Sequence, residues 1–202
     1  MLKIGLCGTS GSGKGYVCEK FKEYGVFHID TDKVYATRVA VKGSDCLREL
    51  CMFFGNGILN SDGTLNKKAL SERVFEGENA FSHLKVLNTV THKYIRNDVL
   101  KTLEENEKNG IKATLIDAPV LFESGFDNMC DVTICVTAPD DVKISRIIAR
   151  DGIPRQKAQA RLKSQLTDDR LRELCDHEIV NDGARDLDTQ INDLIKKLKL
   201  DK

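Results

Sequence analysis

The run GTSGSGKG, from Gly8 to Gly15, carries the residue types best suited to chemistry. Glycines at Gly8, Gly11 and Gly13 let the backbone curl until successive N–H groups face one point, and a helix starting there adds the positive end of its dipole. Lys14 contributes a full positive charge. A ligand bearing several phosphate oxygens matches such a cradle, and Gly11, Ser12, Gly13, Lys14, Gly15 and Tyr16 are its candidate contacts. Lys14 is also a candidate catalytic residue, because its charge can follow a phosphoryl group in transfer. The spacing G-x-x-x-x-G-K is that of a P-loop. After the lysine, that motif normally has Ser or Thr, whose hydroxyl joins the shell of a magnesium ion bridging the outer phosphates. Here Gly15 stands in that place and Tyr16 follows. Magnesium keeps several waters, so one more water can fill the gap. The pattern predicts binding of ATP with Mg2+ and a weakened metal shell; a nucleotide-binding protein without turnover is the competing outcome.

Three acids could complete a phosphoryl-transfer site. Asp30 and Asp32 stand in HIDTD, directly after a short apolar run. A carboxylate there can orient an acceptor hydroxyl and take its proton. Either residue could instead cap the helix that follows, aspartate being a favoured N-cap. Asp117, in IDAP, is a candidate for the water shell of the magnesium, with a turn-forming role as the alternative.

The elements that must position these residues follow from periodicity. LKIGLCG, VFHID, ATLIDAP, VTICVT and HEIVND are short runs bounded by Gly, Pro or Asp, as buried parallel strands tend to be. Amphipathic stretches separate them, beginning with a helix that carries Val17, Cys18, Phe21 and Tyr24. This alternation predicts an α/β fold with a largely parallel sheet flanked by helices, of the P-loop NTPase type. Between the second and third strands the pattern turns helical. Leu47, Leu50, Cys51 and Phe54 recur at i, i+3, i+4 and i+7 with Gly55 as a stop, and Leu84, Leu87, Ile95, Val99 and Leu103 mark a long helix closed by Asn109 and Gly110. We expect one kinase domain over 1–202, with a core of 1–32, 111–139 and 177–202, a helical substrate-binding insertion over 33–110, and a helical lid over 140–176. The lid segment is dense in arginine, and Arg146 and Arg150 share a helix face.

Composition narrows the partners. Basic and acidic residues balance at 31 each, so no net positive field points to nucleic acid or an anionic membrane. No apolar run approaches the length that spans a bilayer, and MLKIGLCG lacks the charged start and cleavage site of a secretory signal. The expectation is a cytoplasmic protein without an evident obligate protein partner. The seven cysteines include no C-x-x-C pair and predict reduced, mostly buried thiols and no zinc site. His28, His83 and His177 form no evident constellation, and Gln165 could simply pack or cap between the lid helices.

With these residues in place, the chain resembles the dephospho-coenzyme A kinases over most of its length. IDTD is similar to that family's I-D-A-D segment, and SDGTLNKKAL to its D-G-x-L-x-R-x-x-L run, with Lys67 where arginine is usual. LNTVTHKYI, with Asn88 and His92, resembles L-N-x-x-x-H-P-x-I, Lys93 standing for proline. DAPVLFE, from Asp117 to Glu123, resembles D-x-P-L-L-F-E, and Gln165, Asp176 and Asn181-Asp182-Gly183 resemble the family's last motif, although Leu171 stands where a basic residue is common. The resemblance implies transfer of the ATP γ-phosphate to the ribose 3′-hydroxyl of dephospho-coenzyme A, giving ADP and coenzyme A. It implies Asp32 as the catalytic base, also touching the acceptor. It further implies Lys67, His92 and Pro119 at the acceptor, Arg146 and Arg150 over ATP, and Asn181 beside adenine. Lys67 with Lys68 could otherwise be a solvated face, His92 a satisfied interior histidine, and Arg150 a surface ion-pair residue. A kinase acting on another small molecule is the alternative that the P-loop alone leaves open.

Overall fold

The computed structural model describes residues 1–76 and 78–201. In chain order its regular elements are β1 (Leu2–Cys7), α1 (Lys14–Glu23), β2 (Phe27–Asp30), α2 (Thr31–Val34), α3 (Asp45–Phe54), α4 (Lys67–Phe75), α5 (Ala80–Lys108), β3 (Ala113–Asp117), β4 (Val132–Thr137), α6 (Asp140–Asp151), α7 (Arg155–Lys163), α8 (Asp168–Leu174), β5 (His177–Val180) and α9 (Leu187–Lys197). A π-helical stretch over Tyr35–Val39 follows α2 directly. The chain divides into two compact units, one of 1–29 with 106–202 and one of 30–105.

The first unit is built on the sheet. Its described strands lie in the order β2-β3-β1-β4-β5, with β1 parallel to both β3 and β4, and β4 parallel to β5. The strands are short, and most of their residues are buried, which is why they read as nearly continuous apolar runs rather than alternating ones. Because β3 and β4 flank β1, the loop that leaves β1 emerges between the carboxyl ends of two other strands. Open α/β sheets hold ligands at such a point. One core cluster unites Ile4 and Leu6 of β1, Leu115 of β3, Ile134 and Val136 of β4 and Ile179 of β5 with Val17 and Phe21 of α1 and Ile191, Leu194 and Ile195 of α9. Polar contacts align α1 with α9: Tyr24 Oη donates to Asn192 Oδ1 at 2.7 Å and Tyr16 Oη to Asp188 Oδ1 at 2.6 Å. The arginine-dense segment forms α6, α7 and α8, all grouped with the sheet.

The second unit is helical. Ser44 caps α3 by accepting from Leu47 N at 3.1 Å, Leu47, Leu50 and Phe54 form its buried stripe, and Gly55 ends it at φ 78°. Asn66 caps α4, which buries Leu70 and Val74. Val90, Ile95, Val99 and Leu103 give α5 its apolar face. Glu49 of α3 ties to α5 by an ion pair with Lys93 and by the 2.7 Å bond that Tyr94 Oη donates. The sequence reading finds no strand here; the structure adds an isolated antiparallel bridge from Leu59 to Leu65, closing the turn at Asp62 and Gly63. Among the described residues no helix is long and apolar enough to cross a membrane.

Phe21 is fully buried in the sheet unit's core. Phe21→Ala should lower the unfolding free energy by about 3–5 kcal/mol, read as a shifted urea midpoint with an unchanged slope; a loss under about 1 kcal/mol would mean that α1 does not depend on this contact.

Candidate active site

The phosphate cradle is shaped from outside. Arg146, on α6, donates from Nη1 to the carbonyls of Gly11 at 3.2 Å and Ser12 at 3.4 Å, and Asn181, just beyond β5, donates from Nδ2 to the Ser12 carbonyl at 2.8 Å. The peptide is planar and trans, so a carbonyl held outward turns the following N–H the opposite way. Gly13 N–H is thereby turned away from Arg146 and Asn181. Arg146 Nη2 also donates to Asn181 Oδ1 at 3.1 Å, locking the two braces together. The glycines are sterically required where the braces press. Gly13 has φ 102°, and a Cβ there would lie 2.1 Å from Asn181 Nδ2; at Gly11, with φ 81°, it would lie 2.6 Å from the Lys143 carbonyl.

Further contacts anchor the loop to α6, to the turn before α8 and to α8 itself. Ser10 N donates to Gln165 Oε1 at 3.0 Å, and Arg150 Nη2 to Ser10 Oγ at 3.3 Å while its guanidinium also pairs with Asp151. Thr9 Oγ1 donates to Asp168 at 3.2 Å. Asp168 in turn pairs at 3.0 Å with Lys143, a buried ammonium that Asp140 also meets at 2.8 Å. Two acids around one buried lysine offset the desolvation that a lone charge would suffer. A cavity of about 970 Å³ opens beside these contacts, with Thr9, Lys143, Arg155, Gln165 and Asp168 in its wall. Sequence reasoning assigns nothing to Lys143 or Asp168 and, beside its place in the family's last motif, only packing or capping to Gln165. Asp168 and Gln165 meet loop residues 159 and 155 positions away, and Lys143 meets Asp168 from a different helix, beyond any local pattern.

Inside the cradle, Lys14 Nζ donates to Asp117 Oδ1 at 2.5 Å. Burial pushes the Asp117 carboxyl up, but His28 and Lys14 outweigh it and hold the group below its ordinary carboxylate value. It is therefore ionised at neutral pH. The other oxygen, Oδ2, faces Cys18 Sγ at 3.5 Å and His28 Nε2 at 3.6 Å. The sequence reading assigned neither Cys18 nor His28 a chemical part; Cys18 follows Lys14 by one helical turn, and His28 is inward-turned on β2, which only the strand order brings to β3. Ser12 Oγ is buried with no hydrogen-bond partner. A hydroxyl left so costs about 1–3 kcal/mol, and a phosphate oxygen would satisfy it.

Magnesium fits this chemistry. Asp117 is a hard oxygen donor at the loop. A Cβ at Gly15 would meet nothing within 4 Å, so a water has room where a hydroxyl is missing. Tyr16 is turned to α9 through Asp188.

The remaining predicted residues are placed as follows. Pro119 lies two residues past β3 in the first unit, half-buried. Asp30 caps α2, accepting from Lys33 N at 2.9 Å, which is the capping alternative considered for it. Asp32 is exposed in the first turn of α2, in the second unit. Lys67 and Lys68 open α4 and are exposed. Lysine at a helix N-terminus opposes the dipole and gains if an anion sits there. His92, on α5, is half-buried, and burial lowers its pKa below the ordinary imidazole value. At neutral pH it is an uncharged hydrogen-bonding group.

The family model for dephospho-CoA kinase matches residues 2–186. A dephospho-CoA kinase from Corynebacterium efficiens is 33% identical over 199 residues, 98% of each chain. Another from Moorella thermoacetica is 39% identical over 166 residues, 82% of this chain and 76% of that one. Among solved structures, the dephospho-CoA kinase from Campylobacter jejuni superposes with a TM-score of 0.70 at 25% identity, covering 97% of this chain and 96% of that one. With a braced phosphate loop on a parallel sheet, and with the family model spanning nearly its whole length, this chain belongs to the dephospho-CoA kinase family.

Proposed function

We propose that the chain phosphorylates the ribose 3′-hydroxyl of dephospho-coenzyme A with ATP, in the cytoplasm, and that Lys14 and Asp32 are its catalytic residues. The family match over 2–186 carries the reading of the reaction. The braced loop, with Lys14 at its centre and a buried Ser12 hydroxyl lacking a partner, supports the phosphate half of it.

In this reading the Asp32 carboxylate accepts the proton of the 3′-hydroxyl as that oxygen bonds to the γ-phosphorus. The bond from the γ-phosphorus to the bridging oxygen breaks, and ADP leaves with the electron pair. Lys14 counters the charge that builds on the phosphoryl oxygens, and the Gly13 N–H with its neighbours in the loop binds the phosphates ahead of it. Mg2+, when bound with ATP, spreads charge over the outer phosphates; Asp117 would hold it through water. Arg146 and Arg150 flank ATP with Asn181 near the base, and closure of 140–176 excludes the water that would otherwise be phosphorylated. Lys67 at the start of α4 binds an acceptor phosphate as a point charge, where arginine would offer a planar fork. His92 donates a neutral hydrogen bond, and Pro119 lines the acceptor.

The first test is ADP release with ATP, Mg2+ and dephospho-coenzyme A, compared with no acceptor and with common nucleosides. Turnover confined to dephospho-coenzyme A, with coenzyme A as product, is expected; ATP binding without turnover on any acceptor would replace this reading with that of a binding protein. Lys14→Ala should cost about 10²–10³-fold in kcat, as loss of a charge-stabilising donor does, and Asp32→Asn about 10²–10⁴-fold, the usual worth of a general base. Near-normal turnover in either variant would remove that residue from the mechanism. Because the space above Gly15 is open, Gly15→Ser should lower the Mg2+ concentration for half-maximal rate by roughly three- to tenfold, the worth of one added oxygen contact. An unchanged Mg2+ dependence would show that water already supplies what the hydroxyl would.

A further inference from the structure

Asp117 presents its two oxygens to different chemistry. Oδ1 takes the ammonium of Lys14, while Oδ2 faces a thiol and an imidazole that the phosphoryl transfer does not use. The ligand atoms of Cys18, His28 and Asp117 all lie within 4.8 Å of one another, Cys18 buried and the other two mostly so. His28 Nε2 is buried and makes no hydrogen bond; at 3.6 Å its distance to Asp117 Oδ2 is too long for one. A tetrahedral ion with bonds of about 2.3 Å to sulfur and about 2.0–2.1 Å to nitrogen and oxygen sets ligand-to-ligand edges of roughly 3.3–3.6 Å. The two measured edges, 3.5 Å from Cys18 Sγ and 3.6 Å from His28 Nε2, are close to that already. One sulfur, one imidazole and one carboxylate form a set that suits zinc, and it is unlike the all-oxygen surroundings that magnesium takes.

We propose that Cys18, His28 and Asp117 bind a zinc-class divalent ion, distinct from the magnesium of ATP, and that its binding inhibits phosphoryl transfer. The inhibitory half rests on the function proposed above. On binding, the Cys18 thiol proton passes to solvent, a sulfur–metal bond forms, and the hydrated ion gives up water. A fourth position stays open to water or a phosphate oxygen. Ligation of Oδ2 takes the negative charge of Asp117 away from the magnesium's water shell and weakens its attraction for Lys14, so both partners of the phosphate site are disturbed together. Burial and the facing Asp117 carboxylate raise the pKa of Cys18, which keeps it a thiol until a metal displaces the proton.

The test titrates the intact, reduced chain with Co2+ in place of zinc. One equivalent should bind with intense tetrahedral bands in the visible and a thiolate-to-cobalt charge-transfer band, both abolished by added Zn2+. Cys18→Ala should lose the charge-transfer band, and His28→Val should weaken binding by more than the 10–100-fold that a mere outer-shell partner is worth. Cys51→Ala, a thiol of the second unit outside the cluster, should keep both. A band that survives in Cys18→Ala, or none in the parent chain at millimolar Co2+, would overturn the site. In the kinase assay Zn2+ should inhibit the parent chain, and Cys18→Ala should be at least tenfold less sensitive relative to its own zinc-free rate; equal sensitivity would overturn the inhibitory link. If the chain proved to have no turnover, the cobalt spectra would still decide whether the metal site exists.

Discussion

The peptide between Ser12 and Gly13 has to face outward. The backbone share of what the sheet unit offers to a phosphate depends on that constraint, because a carbonyl held by Arg146 and Asn181 turns the next N–H to the opposite side. Glycine makes such a conformation accessible without making it favourable, since the same freedom is lost on ordering. The guanidinium of Arg146 and the amide of Asn181 supply the bias, at 3.2–3.4 Å and 2.8 Å from the carbonyls they hold. The strand order then adds the electrostatics: β3 lies beside β1, so its last residue, Asp117, meets the ammonium that begins α1.

How much of this was legible in the sequence differs by length scale. The strands, the long helix of the second unit and the glycine stop of α3 follow from periodicity and turn chemistry within a dozen residues, and the structure has them where the pattern predicts. The phosphate loop was legible because its glycine spacing encodes a backbone shape. The braces were legible only in part. Arg146 and Asn181 are read from the sequence as candidates for contact with ATP, and the structure shows both holding the carbonyls of the loop. Lys143 with Asp168 is a long-range pair in space that no spacing rule announces, because lysine is seldom buried.

The same limit explains the cluster around Asp117. Cysteine at Cys18 reads as one more buried thiol on a helix, and His28 as a polar residue in a short strand. Their meeting needs the knowledge that β2 lies next to β3 and that α1 crosses beside it. The expectation of no zinc site came from counting C-x-x-C pairs, a signal confined to ligands close in sequence. A mixed sulfur, nitrogen and oxygen set drawn from three separate elements leaves no such trace.

The bracing also bears on portability. The partners that shape the loop come from α6, from the turn before α8 and from the end of β5, more than 130 positions downstream. The octapeptide alone would be a flexible, glycine-rich strand-to-helix turn, and a chain cut before α6 would retain the whole motif while lacking the means to hold its shape. The motif read in the first fifteen residues is thus a property of the completed sheet unit, acquired only once its last strand is in place.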